Sequence, residues 1–339
     1  MSLRRPLPFM HMRPLVHKHP IRTMPRVSVI IPVHNRADLI RETLQSVAAQ
    51  TYRDFEVLVV DDGSTDRTPQ ILAEFLPHIR IITQAHAGQG GATARNAGIR
   101  AATGEFIAFL DSDDLWFPQK LERQVALFQR VPELAWSYTD MEAFDSATGA
   151  TLYRQSSSRR LYEGDSLVPL FLQMFVPLVT IMVRREVFDA VGEFFPSPKG
   201  TDYDMLLRIA AQHPIGLVAE VLTRYRVHSH SVTNAMTGTT AYQNIQPILA
   251  RAAARDPARL NPLLPQALSN TARQAAFLSA RGGHVREARQ LLREAIRHTP
   301  FNSRLYVYYA AMLAGPRVTH RLGVWRRRAA PSYRESTVC

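Results

Sequence analysis

The sequence predicts an α/β fold in which helices sandwich a mostly parallel, mixed sheet and further helices follow at the C-terminal end. Four short apolar runs have the composition of strands that are buried on both faces. Segments with helical periodicity separate these runs, and strands that alternate with helices pair in parallel through right-handed crossovers. The predicted strands are Val27–Val33, Phe55–Val60, Ile79–Thr83 and Phe106–Leu110.

The remaining elements are predicted from the segments between and after these strands. Caps and apolar periodicity indicate a series of helices. They are expected over 37–50, from Asp66 or Thr68 to Phe75, over Ala92–Ala102, from near Pro118, and over Asp202–Ala211. Two later strands, Trp136–Asp145 and Thr180–Val183, are expected to complete the mixed sheet.

Composition excludes several classes of protein. The single cysteine, Cys339, excludes an internal disulfide framework and a cysteine-based metal site. Met1–Arg26 has no continuous apolar core and does not read as a cleavable signal peptide. The most apolar segment, Leu167–Val183, is interrupted by Pro169 and Pro177 and is short for a bilayer span, so we expect it to pack in the core.

The net charge of +12 is unevenly distributed along the chain. Residues 1–26 contain six basic and no acidic residues, residues 27–239 contain 19 basic and 25 acidic, and residues 240–339 contain 16 basic and four acidic. Basic termini can bind nucleic acid or an anionic membrane, or can be a solvated Arg-rich surface. We expect no nucleic acid partner and a peripheral membrane contact through the tail Arg317–Arg328, with a loose solvated tail as the alternative.

The chain is predicted to divide into four parts. Residues 1–26 are expected to be a disordered basic segment, because they are rich in Pro, Arg and His and lack periodicity. Residues 27–135 and 136–239 are expected to form two halves of one α/β domain, and 240–339 a helical extension with a basic tail. Within the extension, small and apolar residues on either side of Gly282 and Gly283 predict a helical hairpin like one tetratricopeptide unit.

Three aspartates follow the fourth predicted strand directly. Asp111, Asp113 and Asp114 stand at the end of a buried run, where their mutual repulsion and desolvation are costly unless a cation neutralises them. Oxygen ligands suit a hard ion such as Mg²⁺ or Mn²⁺, and these ions commonly hold substrate phosphates. The alternative is a helix cap, with Asp114 or Ser112 at the start of the helix near Pro118.

Polar residues also follow the first two strands. Pro32–His34 and Asp61-Asp62 lie where the predicted strands end, at the same sheet edge as the three aspartates. Ligands of parallel sheets bind at the carboxyl ends of the strands, which makes this edge the candidate site. The common nucleotide-binding and hydrolase motifs are absent from the sequence: Thr93 breaks a G-x-G-x-x-G pattern, and no Walker A, H-E-x-x-H or G-x-S-x-G sequence occurs.

Three segments together carry a resemblance to a known family. They read VSVIIPVHNR, VLVVDDGSTDRT and AGQGGATARNAGIRAATGEFIAFLDSDDLWFPQKLERQV, in this order. The chain resembles family 2 glycosyltransferases with the GT-A fold, and a weaker similarity continues from Val183 through Asp202 to His228. The last hundred or so residues lie outside the resemblance.

The resemblance implies a donor site for a nucleotide sugar, with a UDP- or dTDP-sugar expected. Pro32 and His34 match positions that line the base and ribose, and Asp62 matches the carboxylate that reads the base edge. Asp61 could contact the base in place of Asp62, or it could brace the loop. Arg95 is the expected diphosphate contact, unless it pairs with a nearby aspartate instead.

The resemblance also implies a metal and a base. Asp111 and Asp113 correspond to the D-x-D motif, Asp113 or Asp114 is expected to touch the metal, and His228 is either a further ligand or a structural histidine. The ion would stabilise the charge that builds on the departing nucleoside diphosphate. Asp202 matches the general base, with a plain N-cap as the alternative, although Thr201 stands where the family usually has an acidic residue.

The resemblance therefore predicts a metal-dependent, inverting glycosyltransferase of bacterial type. Its acceptor is expected to be a glycan or lipid-linked hydroxyl, and its location the cytoplasm or the inner face of the cell membrane, in cell-surface polysaccharide synthesis. Two alternatives remain. One is a catalytically degraded member that binds nucleotide sugar and acts as an adaptor through its helical end. The other is a nucleotidyltransferase, which is less favoured because Pro32–Arg36 lacks the glycine-rich loop of that chemistry.

Overall fold

The computed structural model describes residues 26–86, 88, 91–157, 159–196, 200–228 and 237–313. Within these residues, nine strands form one sheet with the order β3-β2-β1-β4-β8-β6-β9-β5, and β7 pairs with β6 at the side. The strands are β1 Val27–Val33, β2 Phe55–Asp61, β3 Arg80–Thr83, β4 Phe106–Phe109, β5 Leu115–Trp116, β6 Trp136–Asp145, β7 Thr151–Arg154, β8 Met182–Arg184 and β9 Ile215–Val227.

Helices lie between the strands and extend beyond the last of them. In chain order they are α1 Ile40–Ala48, α2 Thr68–Ala73, α3 Ala92–Ala101, α4 Lys120–Arg130, α5 Leu167–Leu172, α6 Val187–Val191, α7 Thr201–Ala210, α8 Gly238–Arg255, α9 Pro257–Leu260, α10 Leu264–Arg281, α11 Val285–His298 and α12 Ser303–Leu313. Single 3₁₀ turns occur at Leu178–Thr180 and Asn261–Leu263.

The sheet is mixed, with its parallel part at the N-terminal end of the chain. Strand β1 pairs in parallel with β2 and β4, and β2 pairs in parallel with β3. Strand β8 then runs antiparallel to both β4 and β6, while β6 pairs in parallel with β9. This arrangement confirms the predicted mostly parallel, mixed sheet.

Both faces of the sheet are buried. Successive side chains of β1 point to opposite faces, so this strand contributes to a core on each side. Ile30 belongs to a core with Ile99 of α3 and Leu206 of α7. Ile31 belongs to a second core with Leu44 of α1 and Val125 of α4. Helices therefore cover the sheet on both sides, which explains why the strands read as continuous apolar runs.

The predicted elements differ from the observed ones mainly at their ends. The helix predicted over 37–50 begins only at Ile40, because side chains at the start of α2 and in the loop before it accept hydrogen bonds from the turn that precedes α1. Thr68 accepts a hydrogen bond from the main chain of Arg36, and Asp66 accepts one from that of Ala37. Contacts between loops, which local sequence does not encode, therefore set where this helix starts.

The apolar segment Leu167–Val183 packs in the core, as predicted. It contains α5, a 3₁₀ turn and the start of β8, with Leu170, Phe171 and Ile181 buried. Among the residues that the structure describes, no helix combines the length and apolar character needed to cross a membrane.

The C-terminal helices continue from the sheet core. Ile245 and Ile248 of α8 are buried in the same core as Leu206 of α7. Helices α10 and α11 occupy the position of the predicted hairpin and bury Ala272, Ala276 and Leu292 between them, together with α12. The predicted division at residue 240 stays a prediction, and the tail Arg317–Arg328 and residues 1–25 lie outside the described residues.

Candidate functional site

The carboxyl ends of the parallel strands meet at one edge of the sheet. Val33 at the end of β1 lies opposite Asp61 at the end of β2, which places His34 and Asp62 side by side. Pro32 is half-buried in β1, opposite Val60. Strand β4 runs parallel on the other side of β1, so the loop that begins at Asp111 starts from the same edge.

Hydrogen bonds fix the orientation of His34. Its Nδ1 lies 2.9 Å from the main-chain oxygen of Asp62, and its Nε2 lies 3.2 Å from the side-chain nitrogen of Asn35. A carbonyl can only accept and an amide NH₂ can only donate, so Nδ1 is the donor in the first contact and Nε2 the acceptor in the second. Asn35 itself has a positive φ of 50°, a conformation that asparagine tolerates better than most residues.

Asp61 and Asp62 have different partners. Asp61 Oδ1 accepts a 2.9 Å hydrogen bond from the main chain of Ser64. Asp61 therefore braces the loop, which was one of the two roles predicted for it. The residue Asp62 is 5% exposed, and its carboxylate accepts hydrogen bonds from Gln84 Nε2 at 2.6 Å and His86 Nδ1 at 2.7 Å. Gln84 and His86 were missed from sequence, although both are polar residues directly after the third strand.

Arg95 connects three elements. It lies on the first turn of α3, its guanidinium is buried, and it donates to Asp111 Oδ1 at 2.7 Å and Asp202 Oδ1 at 3.3 Å. The pairing of Arg95 with a nearby aspartate, left open by the sequence, is therefore present. It brings the predicted diphosphate contact, the first aspartate of the acidic loop and the predicted base into one cluster.

Asp202 lies in the first turn of α7. The N-cap of this helix is Gly200, whose φ is +77°, so the alternative of Asp202 as a plain N-cap is wrong. Its Oδ1 also accepts a hydrogen bond from the Thr201 hydroxyl at 3.2 Å. Thr201, the residue that departs from the family pattern, thus contacts the predicted base directly.

The three aspartates of the acidic loop have distinct electrostatic settings. Burial, together with the charges of Asp113 and Asp202, raises the pKa of Asp111, although Arg95 opposes this. Burial also disfavours the charged form of Asp113, but the hydrogen bond from His228 and the charge of Arg36 outweigh it and lower the pKa of Asp113. His228 Nε2 lies 3.1 Å and Arg36 Nε 3.6 Å from Asp113 Oδ2.

Asp114 faces the interior of the protein. It is 1% exposed, and its Oδ1 accepts the main-chain N–H of Arg226 at 2.7 Å. Its Oδ2 is buried without a hydrogen-bond partner among the described residues. Burial and the charges of Asp113 and Asp111 raise the pKa of Asp114 well above its usual value.

The acidic loop is held by α1 and β9. The Thr43 hydroxyl bonds the main-chain oxygens of Ser112 at 3.1 Å and Asp114 at 2.9 Å. Arg226, buried and missed from sequence, donates to the main-chain oxygen of Asp113 at 2.7 Å. Helix α4 begins at Lys120 with Gln119 as its N-cap, so the alternative in which Asp114 or Ser112 caps this helix is wrong.

The chemistry of this cluster fits a divalent cation. Asp111 and Asp113 disfavour each other's charged form, which is the repulsion that a cation relieves, and Asp113 adjoins the ring nitrogen of His228. Among the described residues, however, no group of three or more His, Cys, Asp or Glu side chains is arranged to hold a metal ion. The metal ligands therefore stay predictions.

Comparison with known proteins identifies the family. The model of the family described as glycosyl transferase family 2 matches residues 28–192. Over 213 residues, 61% of this chain and 79% of the relative, the sequence is 30% identical to the UDP-Glc:alpha-D-GlcNAc-diphosphoundecaprenol beta-1,3-glucosyltransferase WfgD of Escherichia coli. The chain belongs to glycosyltransferase family 2. An uncharacterized glycosyltransferase of Rickettsia typhi is 33% identical over 214 residues, which span 62% of this chain and 66% of the relative.

Solved structures show the same fold as this family 2 chain. Residues 1–349 of S. aureus TarS, in a crystal structure with UDP-GlcNAc, superpose with a TM-score of 0.61 at 18% identity, covering 90% of this chain and 92% of that fragment. The mannosyltransferase PcManGT of Pyrobaculum calidifontis, solved with GDP-Man and Mn²⁺, gives a TM-score of 0.52 at 21% identity, covering 90% and 88%. The predicted family, its transferase class and the GT-A fold are confirmed.

Proposed function

We propose that this chain transfers a sugar from a nucleotide-diphosphate sugar to a hydroxyl group of a glycan or lipid-linked acceptor, with inversion at the anomeric carbon. The observation that carries the proposal is the cluster in which Arg95 joins Asp111 to Asp202 beside Asp113 and His228. It combines a cation for a diphosphate, carboxylates for a metal and a carboxylate for proton transfer at the ligand-binding edge of the sheet.

The donor is proposed to be a UDP- or dTDP-sugar. The E. coli relative is named for UDP-Glc, and TarS has been crystallised with UDP-GlcNAc, which supports a pyrimidine nucleotide here. His34 and Pro32 would contact the base and ribose, and Asp62 would accept a hydrogen bond from the ring N–H of the base. Arg95 would bind the diphosphate, because a buried guanidinium presents several donors in fixed directions.

Mg²⁺ or Mn²⁺ is the proposed cofactor. Asp113 and His228 would hold it, with Asp111 beside them, and the structure of PcManGT with Mn²⁺ supports a divalent ion in this fold. When bound, the ion would stabilise the negative charge that develops on the leaving nucleoside diphosphate. Asp114 was predicted as a possible ligand. It would instead position His228 indirectly, because it accepts a hydrogen bond from the main chain of Arg226, two residues earlier.

Asp202 is proposed as the base that takes the proton from the attacking acceptor hydroxyl. Its side chain is 15% exposed, and its Oδ1 contacts Arg95 and Thr201. The guanidinium of Arg95 fixes the position of the Asp202 carboxylate. A single displacement from the face opposite the leaving diphosphate would invert the anomeric carbon.

The acceptor and location are proposed to involve a membrane. The E. coli relative acts, by its name, on a diphosphoundecaprenol-linked sugar, which supports a lipid-linked acceptor at the cytoplasmic membrane face in cell-surface polysaccharide synthesis. The excess of basic over acidic residues after residue 240 would favour an anionic membrane surface.

The test is release of nucleoside diphosphate from a panel of UDP- and dTDP-sugars, with Mn²⁺ or Mg²⁺ and a lipid-diphosphate-linked sugar as acceptor. We expect turnover with one donor, dependence on the ion, and a β-configured product from an α-configured donor. A chain that turns over no donor, or a product that retains the donor's configuration, would contradict the proposal.

A non-catalytic adaptor that binds nucleotide sugar is the second candidate, and Thr201 is the observation that favours it. The hydroxyl of Thr201 stands beside Asp202 where the family usually has an acidic residue. If this candidate is correct, the wild-type chain binds UDP-sugar without turnover, and Thr201→Glu restores measurable transfer. If the enzyme proposal is correct, the wild-type chain is active and Thr201→Glu is not needed.

A further inference from the structure

We propose that His86 closes the base site when no donor is bound, and that the nucleotide base enters by displacing the His86 imidazole. The inference rests on the proposed function, since it assumes that the base binds between His34 and Asp62. It goes beyond that function by assigning to His86 control of how tightly the donor binds.

The imidazole of His86 makes the two contacts that a pyrimidine would make. Its ring stacks on His34 with centroids 3.9 Å apart and an interplanar angle of 14°. Its Nδ1 lies 2.7 Å from Asp62 Oδ2, and because a carboxylate only accepts, Nδ1 is the donor. A flat ring that stacks on one wall and donates an N–H to a carboxylate is also the description of a bound uracil or thymine.

The His86 side chain is the part of this arrangement that can leave. It is 48% exposed, whereas the side chain of Asp62 is only 7% exposed. A Cβ at Gly63 would lie 2.9 Å from the His86 main-chain nitrogen, so the main chain at His86 packs closely on this glycine. Rotation of the side chain alone would therefore open the site.

Asp62 keeps its orientation when the imidazole leaves. Gln84 Nε2 donates to Asp62 Oδ1 at 2.6 Å and lies 3.3 Å from the Thr93 hydroxyl. The carboxylate oxygen released by His86, Oδ2, is then the one available to an incoming ring N–H. The site is thus arranged for exchange of one N–H donor for another on the same oxygen.

The experiment is calorimetric titration of UDP into the full chain with Mn²⁺. His86→Ala is expected to bind UDP about 3- to 30-fold more tightly than wild type, since a hydrogen bond of modest strength between His86 and Asp62 no longer competes with the base. His86→Gln keeps a hydrogen-bond donor but lacks the flat ring. Its affinity for UDP is expected to lie between those of wild type and His86→Ala. The exposed His284→Ala is the matched control, with wild-type affinity.

Pyrophosphate with Mn²⁺ is the probe that isolates the base, and its affinity should be equal in wild type and His86→Ala. Weaker or unchanged UDP binding by His86→Ala would overturn the inference, because His86 would then be a nucleotide ligand or a bystander. Failure of the proposed function is a separate result. Tighter binding by His86→Ala together with no turnover of any donor would support the closing role and contradict the enzyme.

Discussion

Asp202 is the residue whose role is most open to direct test. It shares Arg95 with Asp111, so its charge is compensated, and it lies at the start of a helix that packs on the sheet. Replacing the carboxylate by an amide removes the base while keeping the shape and a hydrogen-bond acceptor for Arg95. We therefore expect Asp202→Asn to change catalysis far more than binding.

For Asp202→Asn we predict a fall in kcat of at least about 100-fold, with UDP affinity within a few-fold of wild type. The measurement is steady-state release of UDP combined with calorimetric titration of UDP. Asp189→Asn, at an exposed position on α6, is the control and should keep the wild-type kcat and UDP affinity. Equal turnover by Asp202→Asn would assign the base to another group.

Lys120 is a buried cation outside the proposed site. It is completely buried at the start of α4, with Nζ 2.7 Å from Gln124 Oε1 and 4.1 Å from the centre of the Trp116 ring. Burial lowers the pKa of Lys120 well below its ordinary value of 10.5. Between the lowered folded-state pKa and the unfolded-state value, the unfolded chain binds more protons, so stability rises with pH in that window.

Lys120→Met should therefore remove part of the pH dependence of stability. We predict that the free energy of unfolding of wild type, relative to that of Lys120→Met, increases from pH 7 to pH 10 by up to about 1.4 kcal/mol per pH unit within the window. Urea unfolding at several pH values measures it. Arg123→Met, an exposed change on the same helix, should show no such slope; a pH-independent difference for Lys120→Met would contradict the account.

At the scale of elements, the acidic loop depends on a helix that contributes no ligand. Thr43 of α1 is fully buried and bonds two main-chain oxygens of the loop. Thr43→Val keeps the volume of the side chain but leaves both oxygens without this donor. We predict a loss of about 1–3 kcal/mol in the free energy of unfolding and weaker binding of UDP with Mn²⁺.

Chemical unfolding and calorimetry test the Thr43 prediction together. Thr51→Val, at an exposed hydroxyl that also bonds a main-chain oxygen near α4, is the matched control and should change stability by less than about 0.5 kcal/mol. Unaltered UDP affinity in a destabilised Thr43→Val would mean that the loop keeps its shape without α1.

The strands, and the sheet edge at which their carboxyl ends meet, were predictable because local sequence patterns determine each strand. The four apolar runs became β1 to β4, and the polar residues that follow β1, β2 and β4 meet as expected. The contacts of β9 were not predictable. Asp114 and Arg226 are 112 residues apart, and their pairing depends on β9 lying between β6 and β5.

The role of His86 shows a second limit. The residue stands in a turn without a recognisable motif, and only the packing of β3 beside β2 brings it to Asp62 and His34. A polar residue directly after a parallel strand is a usable signal for such positions, because all these strand ends share one edge. That signal would have selected Gln84 and His86 as candidates without fixing their contacts.

At the scale of the molecule, α8 shares the core of the sheet, while α10, α11 and α12 bury further apolar side chains between them. Ile248 of α8 is 3% exposed, and a Cβ at Gly200, the N-cap of α7, would lie 2.7 Å from it. Helix α8 therefore packs directly against the start of the helix that carries Asp202. Loss of this contact should affect the site as well as the extension.

We predict that Ile248→Ala lowers the free energy of unfolding by about 2–5 kcal/mol in one transition, seen alike by helical circular dichroism and by UDP-dependent protection. Val307→Ala, at a position 58% exposed on α12, is the control and should cost less than about 0.5 kcal/mol. Two separate transitions in Ile248→Ala would instead show that the helices after residue 237 fold as an independent unit.

The proposed activity depends on one divalent cation and one nucleoside diphosphate binding together at Asp113. Calorimetric titration of UDP into wild type and Asp113→Asn, each with and without Mn²⁺, measures this directly. We predict that wild type binds UDP at least about 10-fold more tightly with Mn²⁺ and that Asp113→Asn loses this gain. Equal UDP affinity in all four titrations, or no binding in any of them, would contradict the central claim.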